Sequence, residues 1–150
     1  MRLFVIYIYI LLNYNTVSAN TDTLKMYRLQ LDKAIREKSE CEKMIAQPYF
    51  HAGKRGVVWV VYSKHILNPF NKLKYFNKGK DIVEKYIQEH PNDIEMIFFR
   101  YKIQTSIPKI LNYRQNIGKD SKKLLEWLEI KDMNDKDLYY EVKKTLVSIK

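Results

Sequence analysis

Apolar residues recur at helical spacing along most of this chain, and proline and asparagine separate one run from the next. The clearest run begins at Asn68 and Pro69 and closes at Pro91. Asparagine caps helices well, and proline fits a first helical turn but stops a helix elsewhere. A second run follows at once, with Asn92 predicted as its cap and Glu95 in its first turn. The pattern predicts consecutive helices joined by short turns, and therefore an all-α fold.

Three further helix starts can be predicted from capping signals. Ser39 followed by Glu42 has the spacing of a capping box. Asp120 or Ser121 leads into the apolar-periodic segment "KKLLEWLEI", and Asn134 opens the last helix of the sequence. These signals extend the helical prediction across the N-terminal and C-terminal parts of the chain.

One segment, "GVVWVVY" at residues 56–62, has the β-branched composition that favours a strand. The sequence contains no second segment of comparable strand character that could pair with it. A lone strand would leave its backbone donors and acceptors unpaired in the interior. We therefore predict a buried helix over residues 50–66.

The first nineteen residues have a different character from the rest. A basic residue precedes ten apolar residues, Leu3 to Leu12, and Val17 and Ala19 supply small side chains before a cleavage point. Ten residues span only about 15 Å as a helix, roughly half of a bilayer's hydrocarbon core. Residues 1–19 are predicted to be a cleaved signal peptide, without a stable transmembrane span after processing. An uncleaved anchor and a buried strand or helix are the alternatives. Residues 20–150 would then form a single all-helical domain.

The net charge of +10 and the predicted export together restrict the partners. A basic surface favours anionic partners, although lysines interspersed with acidic residues also form ordinary solvated surfaces. The location predicted is the periplasm or cell envelope, and the partner is predicted to be an envelope protein or an anionic glycan. Charge and tyrosine content would also suit nucleic-acid binding, but export argues against it.

Residues that could carry chemistry are few. Cys41 is the single cysteine, so neither an intramolecular disulfide nor a cysteine metal set is expected, and a buried position is predicted for it. Glu84, Glu89, His90 and Glu95 are the only cluster with acid-base potential, and a helix junction explains them without catalysis. No catalytic, cofactor-binding or metal-binding residue is therefore predicted. The alternative is a small periplasmic hydrolase whose site is not identified.

The arrangement of helix pairs connected by short Pro/Asn turns is typical of tetratricopeptide-like arrays, here with two or three degenerate pairs. The segment from residue 68 to residue 117 also resembles the core of a group of small exported, uncharacterised helical proteins of Bacteroidota. The resemblance implies an exported helical protein and brings no known activity. The matching positions are Asn68–Pro69, Lys72–Leu73, Phe76, Gly79–Lys80, Pro91–Asn92, Glu95, Phe98–Arg100, Ile103–Gln104, Pro108, Leu111, Tyr113 and Asn116–Ile117.

A corner at Pro108 carries more polar and aromatic residues than a turn needs. They are Arg100, Tyr101, Gln104, Asn112, Tyr113 and Asn116.

Two interpretations of this corner are possible. In the structural one, these side chains satisfy backbone groups at the helix ends, and Arg100 is paired with Asp120 or with carbonyls near Pro108. In the functional one, they line a groove that grips a peptide or glycan, with Arg100 as the charged contact and Tyr101 and Tyr113 as stacking surfaces. The structural interpretation is favoured for the corner. The function predicted for the protein is non-enzymatic binding of a protein or glycan by a helical module.

Overall fold

The computed structural model describes residues 23–48, 51–131 and 133–148. These residues form helices joined by short turns, and no strand occurs in the described ranges. The all-α prediction is confirmed, whereas the predicted signal peptide lies outside the described residues. The elements are α1 (residues 23–36), α2 (Lys38–Ala46), α3 (Ala52–Lys64), α4 (Pro69–Glu89), α5 (Ile94–Ser106), a 3₁₀ turn (Lys109–Leu111), α6 (Ile117–Ile130) and α7 (Lys136–Ser148).

Helix α3 contains the segment "GVVWVVY", so the prediction of a buried helix there is confirmed. Its helical hydrogen bonds satisfy the backbone within the segment, which a single strand could not do. Val57, Val58, Val60 and Val61 are all buried, so α3 lies in the interior of the fold.

Glycine allows α3 and α4 to approach each other closely. A Cβ atom on Gly79 would lie 2.6 Å from the Gly56 carbonyl oxygen and 2.6 Å from the Val60 backbone nitrogen. Since these neighbours are backbone atoms, no side-chain rotation could relieve the clash. The two helices therefore form a packed pair with almost no space between their backbones at this crossing.

Two predicted helix caps are displaced by one residue. Asn68 caps α4 as predicted, but α5 is capped by the neighbour of Asn92, because the Asp93 carboxylate accepts a hydrogen bond from a first-turn amide at 3.0 Å. Helix α7 begins at Lys136, and the Asp135 carboxylate before it accepts such a bond, also at 3.0 Å. In both cases a carboxylate follows the asparagine, and its negative charge also complements the positive end of the helix dipole.

Two other predicted starts are wrong. Helix α2 already includes Lys38 and has no side-chain cap, so Ser39 and Glu42 do not form a capping box. Only Glu37 separates α1 from α2, which leaves no room for a separate cap at Ser39. Helix α6 begins at Ile117, so Asp120 lies inside its first turn instead of preceding it.

The larger of two core clusters in the described residues joins side chains from all seven α-helices. Cys41 belongs to it, as predicted, and its Sγ donates a hydrogen bond of 3.2 Å to the Ala34 carbonyl. Burial raises the pKa of the Cys41 thiol to about 11, so this side chain is a protonated core residue at neutral pH. Within the described ranges, no helix has the length and apolar character required to cross a membrane.

Candidate functional site

Arg100 lies at the centre of a buried ion network at the proline corner. Its Nε and one terminal nitrogen donate to the two carboxylate oxygens of Asp120 at 2.8 and 2.7 Å, and its other terminal nitrogen donates to Glu84 at 2.7 Å. Arg100 is 5% exposed and Asp120 is 2% exposed. Asp120 is thus one of the two kinds of partner that the sequence predicted, and this bidentate pair fixes α5 against α6.

Tyr113 and Gln104 extend the same network around the corner. The Tyr113 hydroxyl donates to Glu84 at 2.5 Å, and Gln104 accepts a hydrogen bond of 3.0 Å from the backbone amide of Asn116 at the start of α6. Burial, reinforced by the nearby Glu84 carboxylate, raises the pKa of Tyr113 well above its usual value. These contacts tie α4, α5 and the start of α6 together.

The remaining corner residues are not arranged as a ligand-binding surface. Tyr101 and Tyr113 are both buried, so neither ring offers a face on which a ligand could stack. Asn112 is exposed and has a left-handed backbone (φ 44°) at the end of the 3₁₀ turn. Asn116 precedes α6 without capping it through its side chain. Arg100, Gln104 and Tyr113 are brought together, but they face each other and Glu84 rather than solvent.

The predicted acid-base cluster is dispersed in the fold. Glu84 binds Arg100, whereas the buried Glu95 lies 3.1 Å from the Lys54 ammonium. Burial raises the pKa of Glu95, and the charges of Lys54 and Arg28 oppose that shift. His90 stacks on Tyr86, with ring centroids 4.3 Å apart. No group of three or more His, Cys, Asp and Glu side chains within the described ranges is placed to hold a metal ion.

A second ion network holds the terminal helices in place. Arg28 on α1 donates to both carboxylate oxygens of Asp135 at 3.0 and 2.8 Å and lies 3.3 Å from Glu95 on α5. Lys54 on α3 pairs with the other oxygen of Glu95 and lies over the Tyr27 ring at 4.7 Å. Helices α1, α3 and α5 are thereby fixed to the segment that begins α7.

The structure also contains a groove of about 1370 Å³. Its floor consists of α3 and α5, whose contributing residues include the buried side chains Val57, Val60, Phe98 and Phe99. Helices α1 and α7 form one part of its rim and are linked by the Arg28–Asp135 pair. The first turns of α4 and the segment around the 3₁₀ turn form another part. We call this concavity the α5 groove.

The rim of the α5 groove carries large apolar side chains that the fold leaves exposed. Five of them have exposed fractions between 40% and 91%. They come from α1, α4, α7 and the 3₁₀ turn, so residues distant in sequence contribute to one surface. Several exposed apolar side chains around one concavity are a feature of interaction sites. The five are Leu29, Ile35, Leu73, Ile110 and Tyr140.

The charges around the α5 groove are predominantly positive. Lys64, Lys72, Lys102 and Lys144 line it, and none of the four forms an ion pair with another described residue. Lys25 and Arg28 also line it, but each is paired with a carboxylate. On the acidic side, Asp32 and Glu141 line the groove without an ion pair to the described part of the chain. The unpaired charges are thus four positive and two negative.

Sequence reasoning did not identify this groove. The five rim side chains come from four separate elements, so no single apolar periodicity links them. Ile110 lies two residues after Pro108 and outside any helical apolar stripe. This position indicates locally that its side chain has no place in a core.

The geometry defines the class of this protein as an all-helical protein with an open apolar groove and two closed ion networks. No family model, curated protein or solved structure matches the chain.

Proposed function

We propose that this chain is a non-enzymatic binding protein that holds a helical segment of another protein in the α5 groove. The observation that carries this proposal is the set of five exposed apolar side chains around a concavity of about 1370 Å³. Sites for small molecules typically measure about 300–1,000 Å³, so the groove is larger than such ligands require. Binding of an amphipathic helix in an apolar groove is a common mode of peptide recognition.

The dimensions and chemistry of the groove support a helix over a glycan. Helix α5 contributes residues from Phe98 to Ser106, roughly 12 Å at 1.5 Å per residue, or between two and three helical turns. The floor is built from valine, phenylalanine and isoleucine side chains, which offer no hydrogen bonds to sugar hydroxyls. An apolar stripe at positions i, i+3, i+4 and i+7 of a partner helix would cover the exposed rim side chains, such as Leu73 and Ile110, and exclude water from them.

The place of action follows from the N-terminal sequence. The basic residue, the apolar run Leu3 to Leu12 and the small residues before Asn20 support export to the periplasm or cell envelope. The resemblance to exported helical proteins of Bacteroidota supports the same location. The partner in this proposal is an envelope protein that exposes an amphipathic helix.

A designed peptide tests the binding mode directly. The probe is a fluorescently labelled helical peptide of about five turns with a leucine stripe and glutamine at its other positions. Its control has the same composition in scrambled order, so that no stripe forms. We expect saturable binding of the striped peptide by fluorescence anisotropy and no binding of the scrambled one.

Two matched variants test whether the peptide binds in the groove. Leu73→Asp introduces a charge on the groove rim, whereas Leu125→Asp makes the same change at a similarly exposed leucine on α6 that does not line the groove. Leu73→Asp should weaken binding at least tenfold, and Leu125→Asp should leave it unchanged. Equal effects of the two variants, or equal binding of both peptides, would refute the groove as the binding site.

A further inference from the structure

We infer that the partner helix carries acidic residues beside its apolar stripe. This inference rests on the proposed function and specifies the chemistry of the partner. It is carried by the four lysines of the groove, which come from different helices: Lys64 from α3, Lys72 from α4, Lys102 from α5 and Lys144 from α7. A helix lying in the groove would therefore meet a lysine on more than one side.

These lysines are available to a partner in the free protein. Lys64, Lys72 and Lys144 are exposed and make no ion pair with a described residue. Lys102 is half-buried, with its ammonium 5.3 Å from the centroid of the Phe98 ring on the groove floor. Two acidic residues, Asp32 and Glu141, also border the groove, but they neutralise only half of this positive charge.

Charge around a groove acts mainly on which partner binds and how fast. Individual exposed ion pairs contribute little to affinity, but several together discriminate between partners because a like-charged edge is repelled. A partner with lysines beside its stripe would place like charges next to Lys64, Lys72 and Lys144. The same argument disfavours a second copy of this chain, which carries a net charge of +10.

Three peptides with one leucine stripe test the inference. They differ only in the residues that flank the stripe, which are glutamate, glutamine or lysine. We expect the glutamate peptide to bind about tenfold more tightly than the lysine peptide, with the glutamine peptide between them. Raising the salt concentration should reduce this difference, since rim charges are screened by salt.

Paired charge reversals test whether the groove lysines are responsible. The double variant Lys72→Glu, Lys144→Glu changes two lysines that line the groove, whereas Lys74→Glu, Lys143→Glu changes two exposed lysines on the same helices outside it. Both variants have the same net charge. The first should reverse the preference, so that the lysine peptide binds more tightly, and the second should preserve the order of the wild type.

The possible results distinguish failure of this inference from failure of the proposed function. If the three peptides bind equally, or if both double variants change the preference alike, the inference about acidic edges fails while the proposed function stands. If no striped peptide binds, both fail. Binding of sodium myristate in the absence of any peptide binding would assign the groove to an anionic acyl chain and would overturn both proposals.

Discussion

The two faces of helix α5 differ in what their side chains contact. One face carries Arg100 and Gln104, both buried, and their polar groups bond to α6, to Glu84 and to the backbone of the corner. The opposite face carries Phe98 and Lys102, which line the open α5 groove. One helix of thirteen residues therefore separates a closed polar interface from an open apolar one.

This difference shows that residue type alone does not identify a binding surface. An arginine flanked by tyrosines is a common ligand-binding composition, yet Arg100 and Tyr113 already have their partners within the chain. Leucine and isoleucine usually indicate a core, yet Leu73 and Ile110 remain largely exposed. A surface is available to a partner only where the fold has left its groups without contacts.

The largest expected effect is on the closed face. Arg100→Ala should lower the free energy of unfolding by about 3–5 kcal/mol, because it leaves Asp120 as a buried carboxylate without its cation. The control is Arg114→Ala, an exposed arginine after the corner, which should cost no more than about 0.5 kcal/mol. Urea unfolding monitored by circular dichroism measures both.

Arg114 is the better control for this comparison than Lys102. The Lys102 ammonium lies over the Phe98 ring and the residue lines the groove, so truncating Lys102 would also change the open face. An Arg100→Ala protein as stable as Arg114→Ala would mean that the buried network contributes nothing, and the closed face would lose its structural role.

A smaller difference in the free energy of unfolding is expected between two tyrosine variants, one in the buried network and one on the groove rim. Tyr113→Phe removes a hydroxyl that donates to the Glu84 carboxylate and should cost about 1.5 kcal/mol, the lower range for a hydrogen bond to a charged group. The lower value applies because Glu84 keeps its bond to Arg100. Tyr140→Phe makes the same change on the exposed groove rim and should cost less than about 0.5 kcal/mol. Thermal unfolding of the two variants decides the matter, and a larger loss for Tyr140→Phe would reverse the assignment of closed and open faces.

The sequence predicts the local parts of this fold well, because helices depend on contacts a few residues apart. The helical state of "GVVWVVY" and the cap at Asn68 follow from backbone pairing and capping chemistry within single segments. The caps at Asp93 and Asp135 were predicted one residue too early, since an asparagine followed by an aspartate offers two acceptors for the same amides.

Contacts between residues distant in sequence could be predicted only in part. Asp120 was named as a partner of Arg100, but Glu84 was not, since it lies on α4 and its approach depends on how α4 rotates against α5. The α5 groove was missed because it exists only in the assembled fold. Leu29, Leu73 and Ile110 come from three separate elements, and no periodicity links them.

The smallest expected effect concerns the open face, and it tests whether that face is open in solution. Leu73→Ala and Ile110→Ala should each change the free energy of unfolding by no more than about 0.5 kcal/mol, because these side chains are 45% and 91% exposed. Leu124→Ala is the contrast: its side chain is fully buried on α6, and its truncation should cost about 2–5 kcal/mol. Urea unfolding of the three variants gives the comparison. A loss for Leu73→Ala close to that for Leu124→Ala would show that Leu73 is packed in solution and that the groove is filled or closed. Small losses for Leu73→Ala and Ile110→Ala would show that both side chains are exposed in solution, as an open groove requires.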